Sequence, residues 1–237
     1  MLSAGFVSAA TVATDDFSGS NQSNGGTGWA SDWSASNTYQ STVGKIDGDT
    51  MGGFASGSVS RSISPSQTTA GDTAEWSISL RSDYDVVSDD FNGGLVRQLG
   101  MNVLDDAGGV LLTMKFVEGS SDLLLNDGGS DFGVSGLSFL ANEIYDFSFS
   151  SVIGSNQYSF EVTGRGATGT ASGMDFTYNG RTTGGVGGFQ VFWTGPGGSG
   201  NDIFIDNAQV DVTAIPEPTS ALLALVGGLV LMRRKRC

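Results

Sequence analysis

The side chains that could do chemistry in this sequence are almost all carboxylates. The chain contains no histidine, and its single cysteine is the last residue, Cys237. This composition excludes Ser-His-Asp and Cys-His catalysis, an intrachain disulfide and a thiolate metal site. The glutamates are Glu75, Glu118, Glu143, Glu161 and Glu217. No two of them are two or four residues apart, so no single strand presents a pair on one face. A carboxylate pair assembled by folding stays open, but the sequence favours a protein that is not an enzyme.

Three aspartates are candidate ligands for a hard cation, which oxygen donors hold without help from histidine. Asp15 and Asp16 lie near the N-terminus, and Asp206 lies in the last predicted strand. If the terminal strands pair, the three carboxylates converge and could hold a structural Ca²⁺ that relieves repulsion in an acidic domain. The alternative is that they are solvated turn residues, and the lack of a contiguous Asp-x-Asp-x-Asp-Gly loop favours it. No other cofactor is predicted.

Three tryptophans are candidate glycan-binding residues. Trp29 and Trp33 are four residues apart in a Gly/Ser-rich stretch, and Trp193 precedes a Gly-Pro-Gly-Gly loop. Exposed indole rings can stack on the apolar C–H faces of sugars. The alternative, which is favoured for each ring, is that these tryptophans fill the core or anchor loops, as large aromatic residues usually do.

The charge distribution is strongly asymmetric. The formal net charge is −14, but residues 1–214 carry 7 Lys and Arg against 24 Asp and Glu, a net charge of −17. Phosphate binding requires clustered Lys and Arg, so this surface excludes nucleic acid as a partner.

Period-two apolar patterns, separated by Gly, Asn, Asp and Ser, run through the middle of the chain. Such patterns predict strands with one face in a core and one face in solvent. The inward sets are Trp76, Ile78 and Leu80; Leu112, Met114 and Phe116; Tyr145, Phe147 and Phe149; Tyr158, Phe160 and Val162; Phe189, Val191 and Trp193; Ile203 and Ile205; and Val210 and Val212. The spacing of these strands predicts an all-β antiparallel β-sandwich of the jelly-roll type.

The C-terminal segment has three parts in a fixed order. The motif Pro216, Glu217, Pro218 is followed by an apolar stretch over residues 219–232 and then by a stop-transfer basic cluster. The cluster consists of Arg233, Arg234, Lys235 and Arg236. The apolar stretch would form a helix of about 21 Å, which is short for a bilayer core of about 30 Å unless the basic side chains snorkel. We expect a short transmembrane helix, with the cations in the cytoplasm and residues 1–214 outside.

This ending resembles the PEP-CTERM sorting signal of Gram-negative and related bacteria. The resemblance covers about residues 215–236, and Pro216, Glu217 and Pro218 match the motif residue by residue. It implies a partner in the inner membrane, an exosortase-like transpeptidase that cuts near the motif. The alternative is an ordinary tail anchor.

The N-terminal residues 1–13 resemble the end of a signal peptide. They are apolar and small, with Ala10 and Ala13 suited to a leader-peptidase site, but they lack a basic segment. We interpret them as a remnant of a leader that starts upstream. The alternative is that they form an ordinary strand.

Two further segments resemble concanavalin-like and laminin-G-like jelly rolls. One is the Asn-Gly-Gly-Thr-Gly-Trp run at residues 24–29 with Asp32 and Trp33, and the other is the Ile-Asp-Asn-x-x-Val pattern at residues 205–210. The resemblance implies that the first and last strands pair, near residues 15–17 and 203–212. Laminarinase-like enzymes of the same general fold carry a Glu-x-Asp-x-Glu strand, which this sequence lacks.

Together these observations predict three segments: a signal-peptide remnant (1–13), a β-sandwich ectodomain (14–214) and a sorting signal (215–237). The leading hypothesis is a non-catalytic exported protein, anchored by its tail and then released to the cell surface or extracellular matrix. The alternative is a lectin-like module that binds extracellular polysaccharide, and a third hypothesis is a glycoside hydrolase.

Overall fold

The computed structural model describes residues 9–18, 25–41, 45–46, 48–84, 96–120, 122–134, 137–164, 167–175, 184–194 and 203–214. These residues contain fifteen strands and no helix. The strands are β1 (Ala9–Asp15), β2 (Ser34–Ala35), β3 (Thr38–Ser41), β4 (Thr50–Gly53), β5 (Ser56–Gln67), β6 (Thr73–Ser82), β7 (Gln98–Leu104), β8 (Val110–Val117), β9 (Leu123–Asn126), β10 (Phe132–Val134), β11 (Ile144–Val152), β12 (Gln157–Gly164), β13 (Ala167–Asp175), β14 (Val186–Thr194) and β15 (Ile203–Thr213).

The strands form two sheets. The large sheet has eight strands in the order β13-β12-β11-β6-β15-β4-β3, with β1 also paired to β15. The small sheet has seven strands in the order β10-β9-β8-β7-β14-β5-β2. Every strand pair in both sheets is antiparallel. The antiparallel sandwich predicted from the sequence is therefore confirmed.

The core lies between the two sheets and is built from the predicted inward sets. Each residue of those sets is buried, with an exposure of 6% or less. Phe116 of the small sheet meets Tyr145 and Phe147 of the large sheet, with ring centroids 4.9 and 6.1 Å apart. Fully burying such an aromatic side chain contributes about 1.5–3 kcal/mol, which makes this period-two pattern the main determinant of the fold.

The first and last strands pair along their length. The register of β1 with β15 runs from Ala9 opposite Thr213 to Asp15 opposite Ala208. This confirms the pairing that the concanavalin-like resemblance implies. Residues 9–13, which the sequence interpretation placed in a leader remnant, belong to this sheet, and Ala13 is buried at 1% exposure. For these residues the structure matches the alternative of an ordinary strand.

The C-terminal features predicted from the sequence lie outside the described residues, which end at Ala214. These are the motif Pro216, Glu217, Pro218, the apolar segment and the basic cluster. Within the part of the chain that is described, no helix is long and apolar enough to cross a membrane.

Candidate functional site

A polar surface lies on the outer face of the large sheet, over β6, β11, β12 and β15. On β6, β11 and β12, the residues that alternate with the buried core point outward, and the strand registers align them in rows. Three successive rows are Ser79, Asp146 and Thr163; Ser77, Ser148 and Glu161; and Glu75, Ser150 and Ser159. Strand β15 extends two of these rows, because Gln209 pairs with Ser77 and Asp211 pairs with Glu75.

A β-bulge in β15 adds an amide to this surface. The register of β15 with β6 shifts between Asp206 and Gln209. Asn207 lies inside the shift with a φ of 52°, a left-handed conformation that asparagine tolerates better than most residues. Its side chain is directed to the outer face, where Nδ2 donates to Ser79 Oγ at 3.4 Å.

These residues enclose a depression of about 520 Å³, here named the outer groove. Its lining consists of Glu75, Ser77, Ile78, Ser79, Asp146, Phe147, Ser148, Glu161, Thr163, Asn207 and Gln209. The hydroxyl of Ser79 donates to Asp146 Oδ1 at 2.6 Å, which fixes the orientation of that carboxylate. The side chains of Glu75, Asp146 and Glu161 are exposed.

The described lining of the outer groove can make hydrogen bonds and includes no lysine or arginine. Among the described residues, no lysine or arginine forms an ion pair with Glu75, Asp146 or Glu161. Carboxylates only accept hydrogen bonds, whereas the surrounding hydroxyls and amides both donate and accept. The site is therefore suited to a neutral or cationic ligand rich in hydroxyl or amino groups, and it disfavours phosphates and sulfates.

A second polar cluster is buried around Arg61. This arginine of β5 is 6% exposed, and its Nη1 donates to Asp15 Oδ2 at 2.6 Å and to the Gly25 carbonyl at 2.7 Å. Its Nε donates to the Ser31 carbonyl at 2.7 Å. One guanidinium thus joins β5, β1 and the loop over residues 25–33.

The candidate glycan-binding residues Trp29 and Trp33 belong to this buried cluster. Their ring centroids are 5.6 Å apart, and the Arg61 guanidinium lies 5.1 Å from the Trp29 ring and 5.6 Å from the Trp33 ring. Trp33 is 4% exposed and donates from Nε1 to Asp15 Oδ2 at 2.8 Å. Trp29 is half-buried and donates from Nε1 to the Thr14 carbonyl. These contacts match the core-anchoring alternative.

Trp193 lies elsewhere, against β4 and β5. It is 2% exposed, and its Nε1 donates to the Phe54 carbonyl at 3.3 Å. The ring occupies the space above two glycines: a β-carbon at Gly53 or Gly57 would lie 2.5 or 2.6 Å from Trp193 Cζ2. Neither Trp33 nor Trp193 presents a ring face to solvent, so the three tryptophans do not form a common stacking surface.

The candidate calcium ligands Asp15, Asp16 and Asp206 do not assemble into a metal site. Asp15 is buried, and its oxygens accept hydrogen bonds from the Phe17 amide, Trp33 and Arg61. The arginine thus supplies a positive charge beside the Asp15 carboxylate. Across the described residues, no group of three or more Asp or Glu side chains is placed to hold a metal ion.

Asp16 and Asp206 have local partners instead. Asp16 is exposed, and hydrogen bonds from the hydroxyl and amide of Ser18 lower its pKa below the ordinary value. Asp206 is buried, and its Oδ1 accepts a hydrogen bond from the Asn207 amide at 2.8 Å. Both accept hydrogen bonds from the local backbone, but Asp206 is buried within β15 and so is not the solvated turn residue of the alternative prediction.

No family model and no curated protein matches this sequence. Solved structures do match its fold. Peanut lectin gives a TM-score of 0.51 at 8% sequence identity, over 88% of this chain and 100% of the lectin. Arcelin-5, a lectin-like defence protein from Phaseolus vulgaris, gives a TM-score of 0.50 at 7% identity, over 76% of this chain and 91% of arcelin-5. The fold is an antiparallel β-sandwich of the jelly-roll type, an architecture that these two proteins share. The jelly-roll architecture that the concanavalin-like resemblance implies is thereby confirmed, and this architecture alone does not specify a ligand.

Proposed function

We propose that this jelly roll is an exported carbohydrate-binding protein without catalytic activity, and that its ligand binds in the outer groove. The observation that carries the proposal is the polar surface formed by the rows of outward side chains on β6, β11, β12 and β15. It places carboxylates, hydroxyls and amides side by side over a depression of about 520 Å³, which is a volume typical of small-ligand sites.

The chemistry of the lining favours a saccharide over other ligand classes. Each sugar hydroxyl both donates and accepts, and the groove offers acceptors at Asp146 and Glu161 beside a donating amide at Asn207. Lipid binding would require exposed apolar side chains, whereas Ile78 and Phe147, which also line the groove, are buried in the core. The described lining contains three carboxylates and no lysine or arginine, which argues against phosphorylated or sulfated ligands.

Glycoside hydrolysis is a second candidate, favoured by one observation. Asp146 on β11 and Glu161 on β12 both line the groove and are diagonal neighbours in the register. Diagonal residues lie about 7–8 Å apart, and inverting glycosidases have carboxyl groups about 6.5–9.5 Å apart. Binding without cleavage is preferred because both carboxylates are exposed, whereas a glycosidase acid of the lysozyme type lies in an apolar pocket.

The proposal is tested by titrating the protein with soluble β-glucan, xylan, mannan and chitin oligosaccharides, with alginate as an acidic comparison. We expect binding to at least one neutral or amino-sugar polymer and no release of reducing ends. Asp146→Asn and Glu161→Gln should each weaken binding about tenfold or more, because a hydrogen bond to a charged group contributes roughly 1.5–3 kcal/mol.

Gln190→Ala is the matched control for these variants. Gln190 is an outward amide on the small sheet, where Asn102 Nδ2 donates to its Oε1, so its loss should leave glycan binding unchanged. A folded protein that binds none of the polymers would overturn the proposal. Groove variants that bind as well as the parent would move the site elsewhere, and release of reducing ends would favour the hydrolase.

The proposal includes a route to the cell surface, supported by the order of the motif at residues 216–218, the apolar segment and the basic cluster. We expect the full chain to be membrane-bound first and then released by an exosortase-like transpeptidase. Fractionation of an exosortase-containing host, with mass spectrometry of the C-terminus, measures this. Pro216→Ala combined with Pro218→Ala should leave the uncut precursor in the membrane. Identical size and location for both chains would contradict the sorting interpretation.

A further inference from the structure

A second depression lies on the same outer face, next to the outer groove. It has a volume of about 300 Å³, and its lining includes Thr73, Ser150, Val152, Ser155, Gln157 and Ser159. We name it the hairpin depression, because most of these residues belong to β11, β12 and the turn that joins them. Its named lining residues carry no charge, in contrast to the three carboxylates of the outer groove.

The two depressions adjoin along the strands rather than across them. Glu75 lines the outer groove, and its register partner Ser150 lines the hairpin depression. Ser150 in turn pairs with Ser159, which also lines the hairpin depression. The boundary between the two depressions is therefore a single row of outward residues. Strands β6, β11 and β12 contribute residues on both sides of that row.

The combined surface is elongated. Along β11 it extends from Asp146 in the outer groove to Val152 in the hairpin depression, and the six residue-to-residue steps between them span about 20 Å. A single pyranose ring would occupy only a fraction of that length. Val152 is 38% exposed, so its methyl groups are available to the C–H face of a sugar ring bound beyond the carboxylates.

We infer that the outer groove and the hairpin depression form one binding site, which takes an extended oligosaccharide segment with its long axis parallel to the strands. The inference rests on the proposed carbohydrate-binding function and assigns the ligand class within it: a chain of several sugar units rather than a monosaccharide or a chain end. The carboxylates hold one part of the segment, and the uncharged hairpin depression holds the next.

The experiment uses the full protein and a series of oligosaccharides of increasing length, taken from whichever of β-glucan, xylan, mannan or chitin it binds. Calorimetry should show affinity rising at least tenfold from the monosaccharide to a plateau at several units. Ser159→Trp fills the hairpin depression, so it should remove this gain while short oligosaccharides bind as before. Gln157→Ala, a milder change at an exposed position, should reduce the gain severalfold.

Ser60→Trp on the outer face of the small sheet controls for the added bulk and should leave the length dependence unchanged. Affinity that is equal for one unit and for many would overturn the inference and leave carbohydrate binding in place. A gain that persists in both Ser159→Trp and Gln157→Ala, with both variants folded, would also overturn it. Absence of binding to every polymer would overturn the proposed function, and this inference with it.

Discussion

Replacing Arg61 by methionine is expected to destabilise the protein by about 3–5 kcal/mol, because it leaves a buried carboxylate without a counter-charge. The Asp15 side chain is 0% exposed and that of Arg61 is 5% exposed, with 2.6 Å between Nη1 and Oδ2. Methionine also removes the donors to the Gly25 and Ser31 carbonyls, which hold the loop over residues 25–33 against the sheet.

Guanidinium chloride unfolding measures this loss, and Lys115→Met is the matched control. Lys115 also pairs with an aspartate, Asp131, at 2.8 Å, but its side chain is 18% exposed and that of Asp131 is 37% exposed. Removal of such a surface pair costs about 0–1 kcal/mol. The double variant Arg61→Met with Asp15→Asn should recover part of the loss, since no charge is then buried. Equal costs for Arg61→Met and Lys115→Met would show that the buried pair is not a main stabilising contact.

A chain that lacks residues 1–13 is expected to lose about 4 kcal/mol or more of unfolding free energy relative to a chain that lacks residues 1–8. The longer deletion removes four of the six register partners that β1 provides to β15. At about 1 kcal/mol for each hydrogen bond, the ladder alone accounts for this loss. Removal of the buried Ala13 also uncovers part of the core.

Unfolding in urea or guanidinium chloride measures the unfolding free energies of the two truncated chains and of the full chain. The chain that lacks residues 1–8 should unfold like the full chain if the fold begins at β1. If the two truncated chains unfold at the same denaturant concentration, β1 is dispensable. A leader that ends at Ala13 would then regain support.

The period-two pattern predicted most of the core because side-chain alternation is fixed by the pleat itself. The same pattern indicates that Arg61 is buried, although this was not among the predictions from the sequence. Arg61 occupies the position between Val59 and Ile63, both of which are buried inward residues of β5. An arginine on the inward face of a strand in so acidic a chain requires a buried carboxylate, and Asp15 is that partner.

The candidate binding site could not be predicted in the same way. Alternation indicates that Glu75, Asp146 and Glu161 point away from the core, but not that they share a groove. Their proximity depends on the order of β6, β11 and β12 in the sheet and on their registers, which turns and bulges set over long separations in sequence. The tryptophans show a second limit of sequence-based prediction. Residue type alone does not distinguish a ring that stacks on a sugar from a ring that anchors a loop.

The position of β15 has a mechanical consequence. The chain leaves the sheet after Thr213, which lies opposite Ala9 of β1 on one side and Thr73 of β6 on the other. Tension applied through the residues that follow would pull β15 along its own axis, with its hydrogen bonds perpendicular to the force. Those bonds would be loaded in shear and would have to fail together, whereas an edge strand such as β13 can be peeled one bond at a time. The jelly roll is therefore attached to the residues that follow through a strand that is hydrogen-bonded on both sides, to β1 and to β6.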